Sequence, residues 1–404
     1  MPLPDYNRPP IILFLVLPSG ISLGFATVTL PYLLTQNGFT VFQTANIVAL
    51  GVSASLWRFA WGPITDLTLS LKKWFWIASL VSSASIILLS ITPFTKKEII
   101  LLTSIVFISQ VAANLVLIPI GGIMANRIEN SHKGRAGGWY QVGNLGGVGL
   151  GGGLGLWLSS HISVLVAGIV LCVISMTSAF SITRVKDVRP DPGKRIAKAL
   201  GEMANNVVSM LKIPVVLFVF VMLCMPIGTG SANNLWAAIA TDWKANADLV
   251  ALVTGILGGL TSSVGCLVGG VVADRWGNWI AYLGAGLSCA AVALVMAAFP
   301  MQPYVYVAGV LAYSFTSGLA YSAFSSVILY AIGTKNASTK YALLSSLGNL
   351  PVVYMTTFDG WTHDRFNSKN MLIAEALVAV LFVTICVFVF SQLKKRKLLL
   401  ATVD

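Results

Sequence analysis

The chain has 404 residues, of which 56% are hydrophobic and only 10% are charged, against roughly 25% charged residues in ordinary globular proteins. A soluble fold of this size could not cover its surface with so few charges, so the apolar residues must face lipid. The net charge of +12 would suggest nucleic-acid binding in a soluble protein. Here the basic residues lie in short clusters between apolar runs, as they do in loops that face an anionic leaflet. Composition therefore excludes a soluble enzyme and predicts a polytopic membrane protein with no nucleic-acid partner.

Twelve apolar runs are each long enough, at about 20 residues, to cross a bilayer as a helix. The first run is longer than the hydrophobic core of about 7–15 residues that a cleavable signal peptide has. The predicted fold class is therefore an all-α membrane protein with twelve transmembrane helices. The predicted spans begin near Ile11, Val41, Trp74, Glu98, Gly137, Ile162, Ile213, Leu249, Trp279, Val305, Tyr341 and Met371.

The longest polar stretch separates the sixth run from the seventh and is rich in lysine and arginine. It contains Pro190-Asp191-Pro192-Gly193, a string that breaks helices. We therefore predict an N-terminal six-helix bundle at 1–182, a basic cytoplasmic linker at 183–212 and a C-terminal six-helix bundle at 213–404.

Lysine and arginine counts predict the orientation in the membrane. With both termini in the cytoplasm, 20 of the 26 lysines and arginines fall in cytoplasmic segments and 5 in outer segments, while Arg58 lies inside a span. The opposite orientation would violate the positive-inside rule.

An internal repeat relates the two halves. Asp66 follows span two and Asp274 follows span eight, 208 residues later. Gly143-Asn144-Leu145 in span five recurs as Gly348-Asn349-Leu350 in span eleven, 205 residues later. Because each half has an even number of spans, both copies have the same sidedness, which is the parallel repeat of a two-bundle transporter.

The loop after span eight, with Gly270, Asp274, Arg275 and Gly277, resembles the Gly-x-x-x-Asp-Arg-x-Gly loop of the major facilitator superfamily. The resemblance implies two six-helix bundles related by a pseudo-two-fold axis and transport by alternating access. An aspartate at a helix end can accept hydrogen bonds from a neighbouring helix N-terminus and can pair with arginine. We interpret Asp66, Asp274 and Arg275 as a conformational latch, the alternative being a solvated loop turn.

Several strings resemble one branch of that superfamily, the AmpG-type muropeptide permeases and acetyl-CoA transporters with related siderophore importers. They are Arg58-Phe59-Ala60-Trp61-Gly62-Pro63-Ile64-Thr65-Asp66, Pro18-Ser19-Gly20, Gln141-Val142-Gly143 and Tyr341-Ala342-Leu343-Leu344-Ser345-Ser346. The resemblance implies a bacterial inner-membrane transporter that takes up a polar or anionic solute such as a muropeptide-like cell-wall fragment. Siderophores, acetyl-CoA and other anionic metabolites remain alternatives, since Arg58 stands where the family commonly has lysine.

Charged side chains inside spans are energetically costly and usually functional. Arg58 is a candidate anchor for a carboxylate or phosphate, the alternative being a side chain that snorkels to the interface or pairs with Asp66. Glu375, in span twelve, is a candidate proton-coupling group, although an interfacial glutamate is the interpretation that we favour there. Asp359, His363, Asp364 and Arg365 are expected in a solvated outer loop.

Neutral polar and aromatic residues supply further candidates for solute binding, since amides, hydroxyls and rings suit a sugar- or peptide-like solute. The alternative for each is hydrogen bonding between helices. They are Gln110 and Asn114 in span four, Gln141 and Asn144 in span five, Asn233, Asn234 and Trp236 in the outer part of span seven, Tyr313, Ser317 and Tyr321 in span ten, and Ser346 and Asn349 in span eleven.

Span five carries glycines at four-residue spacing, from Gly143 to Gly155. It lacks the lysine and the preceding strand of a phosphate-binding loop, so the spacing predicts close helix packing instead. The five cysteines show neither CxxC spacing nor a nearby histidine, and we expect no metal and no cofactor.

The sequence therefore favours a secondary transporter, monomeric and driven by protons. A membrane enzyme is disfavoured because the three histidines fall at loops or span ends without a nucleophile motif. A non-transporting sensor is disfavoured by the paired aspartate loops.

Overall fold

The computed structural model describes residues 8–128, 133–187, 201, 205, 214–332 and 343–395. Over these residues the chain is helical and has no strand. The twelve membrane-crossing segments form two six-helix bundles, as the sequence predicts. Eleven of the predicted spans begin within four residues of the observed helices, whereas the span predicted from near Tyr341 begins nine residues before α11 does at Leu350. The predicted linker, 183–212, lies almost wholly outside the described residues.

We number the helices α1–α12 after the spans that they form. In the first half they are α1 (Ile11–Gln36), α2 (Val41–Ser53, Ala54–Trp57 and Arg58–Leu67), α3 (Leu71–Ile91), α4 (Ile99–Arg127), α5 (Lys133–Val148, Gly149–Leu154 and Gly155–His161) and α6 (Val164–Ala179). In the second half they are α7 (Pro214–Leu223), α8 (Ala247–Val250, Ala251–Leu257 and Gly258–Trp276), α9 (Asn278–Ala298), α10 (Pro303–Ile332), α11 (Leu350–Arg365) and α12 (Ser368–Lys395).

Nine of the described helices are long and apolar enough to cross a membrane. The three other segments are glycine-rich α5, short α7 and α11, which follows a turn at 348–349. Large apolar side chains face outwards, with Ile100 79% exposed and Leu267 74% exposed. This outward face is the surface that a helical bundle presents to lipid.

The glycines of α5 form two stripes that pack against different helices. A Cβ at Gly147 would lie 2.8 Å from Gly20 Cα on α1, and one at Gly143 would lie 2.9 Å from Leu13 Cα. On the other stripe, a Cβ at Gly153 would lie 2.9 Å from the Ala251 carbonyl oxygen of α8. The close helix packing predicted from the glycine spacing is therefore confirmed, both within the first half and between the halves.

We call the end of the bundle where α1 ends and α2 begins the distal end, and the opposite end proximal. At the distal end the two halves meet where α2 crosses α11 and where the middle part of α5 crosses α8. A Cβ at Gly360 of α11 would lie 3.1 Å from both Phe42 Cα and the Val41 carbonyl oxygen of α2. The distal end is therefore closed by backbone-to-backbone packing.

The two crossings are related by the internal repeat. The 205–208-residue offset equates α2 with α8 and α5 with α11, so the pair α2–α11 corresponds to the pair α8–α5. The pseudo-two-fold axis thus explains why the halves meet at these two places.

Candidate functional site

Within the described part of span seven the chain is helical from Pro214 to Leu223, and the following residues, 224–246, form an unwound segment with two short 3-10 turns. The prediction of a continuous helix here is wrong. Pro226 lacks an amide hydrogen, and Gly228 and Gly230 adopt φ of +58° and +67°, values that favour glycine. The string Pro-Ile-Gly-Thr-Gly was the signal in the sequence for this break.

Tyrosine hydroxyls satisfy backbone carbonyls that the unwinding frees. Tyr282 donates to the Ile227 carbonyl at 3.3 Å, and Tyr306 donates to the Trp236 carbonyl at 2.9 Å. Tyr354 donates to the carbonyl of the residue after α7, at 2.9 Å. Non-helical backbone at membrane depth is tolerated where protein groups pair with it, and three different helices supply those groups here.

The unwound segment also carries a cluster of amide and aromatic side chains. Asn233 donates to Ser317 Oγ of α10 at 3.0 Å and accepts from Trp236 Nε1 at 3.2 Å. Asn234 donates to a threonine hydroxyl of α11 at 3.0 Å. The Trp236 ring meets Tyr313 edge-on, with centroids 5.3 Å apart. The structure thus brings together five residues that the sequence proposes for binding, although Trp236 and Tyr313 are buried.

Two buried carboxyl groups meet beside this cluster. Ser231 Oγ lies 2.7 Å from Asp359 Oδ2 and 3.0 Å from Glu375 Oε1. Tyr313 donates its hydroxyl proton to the same Glu375 oxygen. Asp359 Oδ1 and Glu375 Oε2 have no hydrogen-bond partner among the described residues.

Two expectations from the sequence are corrected here. Asp359 was expected in a solvated loop, but α11 continues to Arg365 and Asp359 is fully buried. Glu375 was expected at the membrane interface, but it is only 6% exposed and points into the bundle. Buried positions of α11 recur every four residues, at Pro351, Met355 and Asp359. This helical period was the signal that the polar composition of the segment concealed.

A small cavity of about 10 Å³ adjoins the Glu375 carboxyl group and is also lined by Tyr313, Thr229 and Cys289. It is large enough for one water molecule. A larger cavity of about 360 Å³ lies between α2, α3 and α4 and is lined by apolar and aromatic side chains such as Trp57 and Phe107. None of the candidate binding residues lines that larger cavity.

Arg58 begins the last part of α2, directly after a 3-10 turn, and its side chain is partly buried. Its guanidinium makes no hydrogen bond or ion pair with another side chain in the described part of the chain. The side chain of Asp66, the alternative partner expected for Arg58, lies outside the described part of the structure.

The other candidates for solute binding are dispersed. Gln110 is buried and donates to the Ser22 carbonyl and hydroxyl of α1, both at 3.2 Å, which is the bonding between helices given above as the alternative. Asn114 donates within its own helix, to the Gln110 carbonyl at 2.9 Å. The remainder are Gln141 (exposed), Asn144 (partly exposed), Tyr321 (59% exposed), Ser346 (buried) and Asn349 (partly exposed).

The residues interpreted as a latch lie at corresponding helix ends. Asp66 lies in the last turn of α2, and Asp274 lies in the last turn of α8 before Gly277, whose φ is +92°. Asp274 and Arg275 are both exposed.

The distal loops carry ionic contacts that the sequence did not reveal. Asp364 at the end of α11 accepts from the Val41 and Phe42 amides at 3.1 and 3.0 Å, and so caps the N-terminus of α2 across the two halves. A carboxylate at a helix N-terminus is favourable because it complements the helix dipole.

Asp242, in the unwound segment, accepts hydrogen bonds from His363 at 2.7 Å and from Ser368. Burial raises the pKa of Asp242. The hydrogen bonds from these two donors and the charge of His363 lower the pKa by more than burial raises it, so the net shift is downward. The ionised carboxylate therefore ties the unwound segment to the ends of α11 and α12.

Several solved structures share this fold at low sequence identity. The crystal structure of the nucleoside transporter NupG (D323A mutant) aligns with a TM-score of 0.71 at 12% identity, covering 95% of this chain and 100% of that one. A bacterial homologue of the human lysosomal transporter Spinster, inward-facing and unoccupied, gives 0.72 at 12% identity, covering 93% and 95%. The D-xylose–proton symporter gives 0.68 at 13% identity, covering 92% and 95%. The chain therefore shares the fold of these three proteins.

The family model of the Major Facilitator Superfamily matches residues 12–356. The chain belongs to this superfamily. No curated protein matches it in sequence.

Proposed function

We propose that the protein is a proton-coupled importer of a polar or anionic solute, of the AmpG type, with a muropeptide-like cell-wall fragment as the leading substrate. The observation that carries the proposal is the pair of buried carboxyl groups, Asp359 and Glu375, beside an unwound segment rich in amides. Ionisable groups at membrane depth are typical of proton pathways. A neighbour in fold, the D-xylose–proton symporter, is by its name proton-coupled.

The solute would meet the amides and rings of the unwound segment. Unwound backbone near the middle of a span is where many transporters bind substrate. Asn233 and Asn234 are partly exposed and supply donors and acceptors suited to a sugar or peptide. Ser317 extends this surface onto α10.

An anionic solute, such as a siderophore or acetyl-CoA, is the second candidate, and Arg58 is the observation that favours it. A partly buried guanidinium without a described partner can bind a carboxylate or phosphate through two hydrogen bonds. In both cases Asp66, Asp274 and Arg275 would act as the latch. The protein would work as a monomer in the bacterial inner membrane, with both termini and the proximal end in the cytoplasm.

Uptake into proteoliposomes tests the proposal. The probes are a radiolabelled anhydromuropeptide, a ferric siderophore and acetyl-CoA, each offered with an acidic exterior. We expect one probe to accumulate and a protonophore to abolish the accumulation. Glu375→Gln should lose gradient-driven accumulation, whereas Glu98→Gln, at the distal end of α4, should retain it.

Two outcomes would count against the proposal. Lack of flux for all three probes would refute the substrate classes. Accumulation that is the same with and without the pH gradient would refute proton coupling.

A further inference from the structure

The hydroxyl of Ser231 has more oxygen neighbours than it has protons to donate. Its Oγ lies 2.7 Å from Asp359 Oδ2, 3.0 Å from Glu375 Oε1 and 3.1 Å from Thr229 Oγ1, which donates to it. A serine hydroxyl has one proton and two lone pairs. It can therefore donate to only one of the two carboxyl groups. The contact with the other carboxyl oxygen is repulsive unless that oxygen carries a proton.

The two carboxyl groups differ in the donors that surround them. Glu375 accepts from the Tyr313 hydroxyl and from Ser231. Among the described residues Asp359 has only Ser231 as a hydrogen-bond partner, and its Oδ1 has none. A buried negative charge is tolerated where donors surround it. The donors therefore favour the charge on Glu375.

We infer that Asp359, Ser231 and Glu375 form a single proton-binding site, in which Asp359 holds the proton in this conformation. Asp359 donates to Ser231 Oγ, and Ser231 donates to Glu375 Oε1. When the Ser231 proton moves to Glu375 and the Asp359 proton moves to Ser231, the O–H bond of Asp359 breaks and one forms on Glu375. The negative charge passes from Glu375 to Asp359, and Ser231 ends as it began.

Few other titratable groups lie beside the site. In the described part of the chain, those that face it are Tyr313 of α10 and Cys289 of α9. The part of α2 that packs on α11, Val41–Ser53, has no titratable side chain. The cavity beside Glu375 has room for one water molecule, which would carry a proton to or from that carboxyl group.

The position of Ser231 links the proton to the solute. Ser231 follows Gly230, whose φ is +67°, and it precedes Asn233 by two residues on the same 3-10 turn. A movement of Asn233 on solute binding would move the Ser231 hydroxyl away from one carboxyl group and interrupt the relay. This coupling role rests on the proposed proton-coupled transport, whereas the place of the proton does not.

Infrared spectroscopy of the full-length protein at neutral pH locates the proton without any solute. A protonated carboxyl group shows a carbonyl stretch that a carboxylate lacks. We expect the wild type to show one such buried group. Asp359→Asn should lose the band, because Glu375 then keeps its charge and its donors. Glu375→Gln should retain the band, because the lone buried Asp359 stays neutral.

Each alternative gives a different spectrum. Absence of the band in the wild type, or the reverse pattern in the two variants, would overturn the inference. Loss of the wild-type band on replacing choline chloride with sodium chloride would also overturn it, since the pair would then bind a metal cation. If Asp359→Asn does not fold, loss of the band in Glu375→Gln still decides against Asp359 as the proton carrier.

Failure of this inference is distinguishable from failure of the proposed function. The spectra report the proton alone, so the band can lie on Glu375 while gradient-driven uptake stands. Conversely, the assigned spectra can hold in a protein that transports none of the three probes.

Discussion

Replacement of Gly360 by alanine should open the distal end. The added Cβ would overlap the Cβ of Ala45 and lie 3.1 Å from two backbone atoms of α2, Phe42 Cα and the Val41 carbonyl oxygen. Backbone atoms cannot move aside as a flexible side chain can, so α2 and α11 must separate. Overpacking of this kind costs about 1–3 kcal/mol.

The clash exists only while the two helices are in contact, so it destabilises the distally closed state alone. A difference of about 1–3 kcal/mol between two states changes their ratio by roughly 5–150-fold. The population with an open distal end should rise by that factor. Gly284→Ala is the matched control, because it lies in α9 and an added Cβ there meets no atom within 4 Å. Both variants share the gain in helix propensity of about 1 kcal/mol.

Electron–electron distance measurements between spin labels report the opening. Labels at Gln36 and Phe366, both exposed at the distal end, would be attached after the native cysteines are replaced. We expect a longer distance to gain weight in Gly360→Ala and not in Gly284→Ala. Identical distributions in the two variants would refute the argument that packing at Gly360 closes the distal end.

Three further substitutions test other parts of the structure. Arg58→Ala should weaken binding of an anionic probe at least about tenfold, since a hydrogen bond to a charged group contributes about 1.5–3 kcal/mol. Arg58→Lys should retain part of the affinity. If equilibrium binding gives equal affinity in the wild type and both variants, Arg58 is not an anion anchor. Asp242→Asn should lower the melting temperature at neutral pH. The pKa of Asp242 is lowered on folding. The contribution of Asp242 to stability is therefore full above its pKa in the unfolded chain, about 3.9, and is lost as the pH falls through its pKa in the folded protein. A variant as stable as the wild type at pH 7 would contradict a stabilising role for the Asp242 carboxylate. Tyr306→Phe should lower the stability by about 1–3 kcal/mol, because it leaves the Trp236 carbonyl unpaired; thermal unfolding in detergent measures this. Tyr304→Phe, on the same helix and 64% exposed, is the control. Equal shifts of the melting temperature in both variants would show that the Tyr306 hydroxyl does not stabilise the unwound segment.

The sequence predicts the fold well because lipid imposes a simple rule on it. Each span must be an apolar run of about 20 residues, so the starts of α1 at Ile11 and α2 at Val41 were found directly. The repeat of Asp66 and Asp274 then related the halves. Hydropathy predicted these elements because it is a local property.

The candidate site was harder to predict because it depends on contacts between distant segments. Hydropathy alone predicts a continuous helix for span seven, although Pro226 and two glycines indicate the break. Asp359 lies in a segment polar enough to be taken for a loop, and only its burial beside Ser231 reveals a partner for Glu375. Gln110, in contrast, was a reasonable candidate that packs against α1 instead. One sequence does not distinguish a polar residue that binds a solute from one that binds a neighbouring helix.

The unwound segment has a consequence for biosynthesis. The described part of α7 is ten residues long, or about 15 Å, against a hydrocarbon core of about 30 Å, and the unwound segment follows it directly. The hydroxyls that pair with the freed carbonyls belong to Tyr282, Tyr306 and Tyr354, all of which leave the ribosome after the segment itself. The nascent segment must therefore keep its own helical hydrogen bonds when it enters the bilayer. It exchanges them for tyrosine hydroxyls only after α9, α10 and α11 have been inserted, so this span acquires its final shape late in assembly.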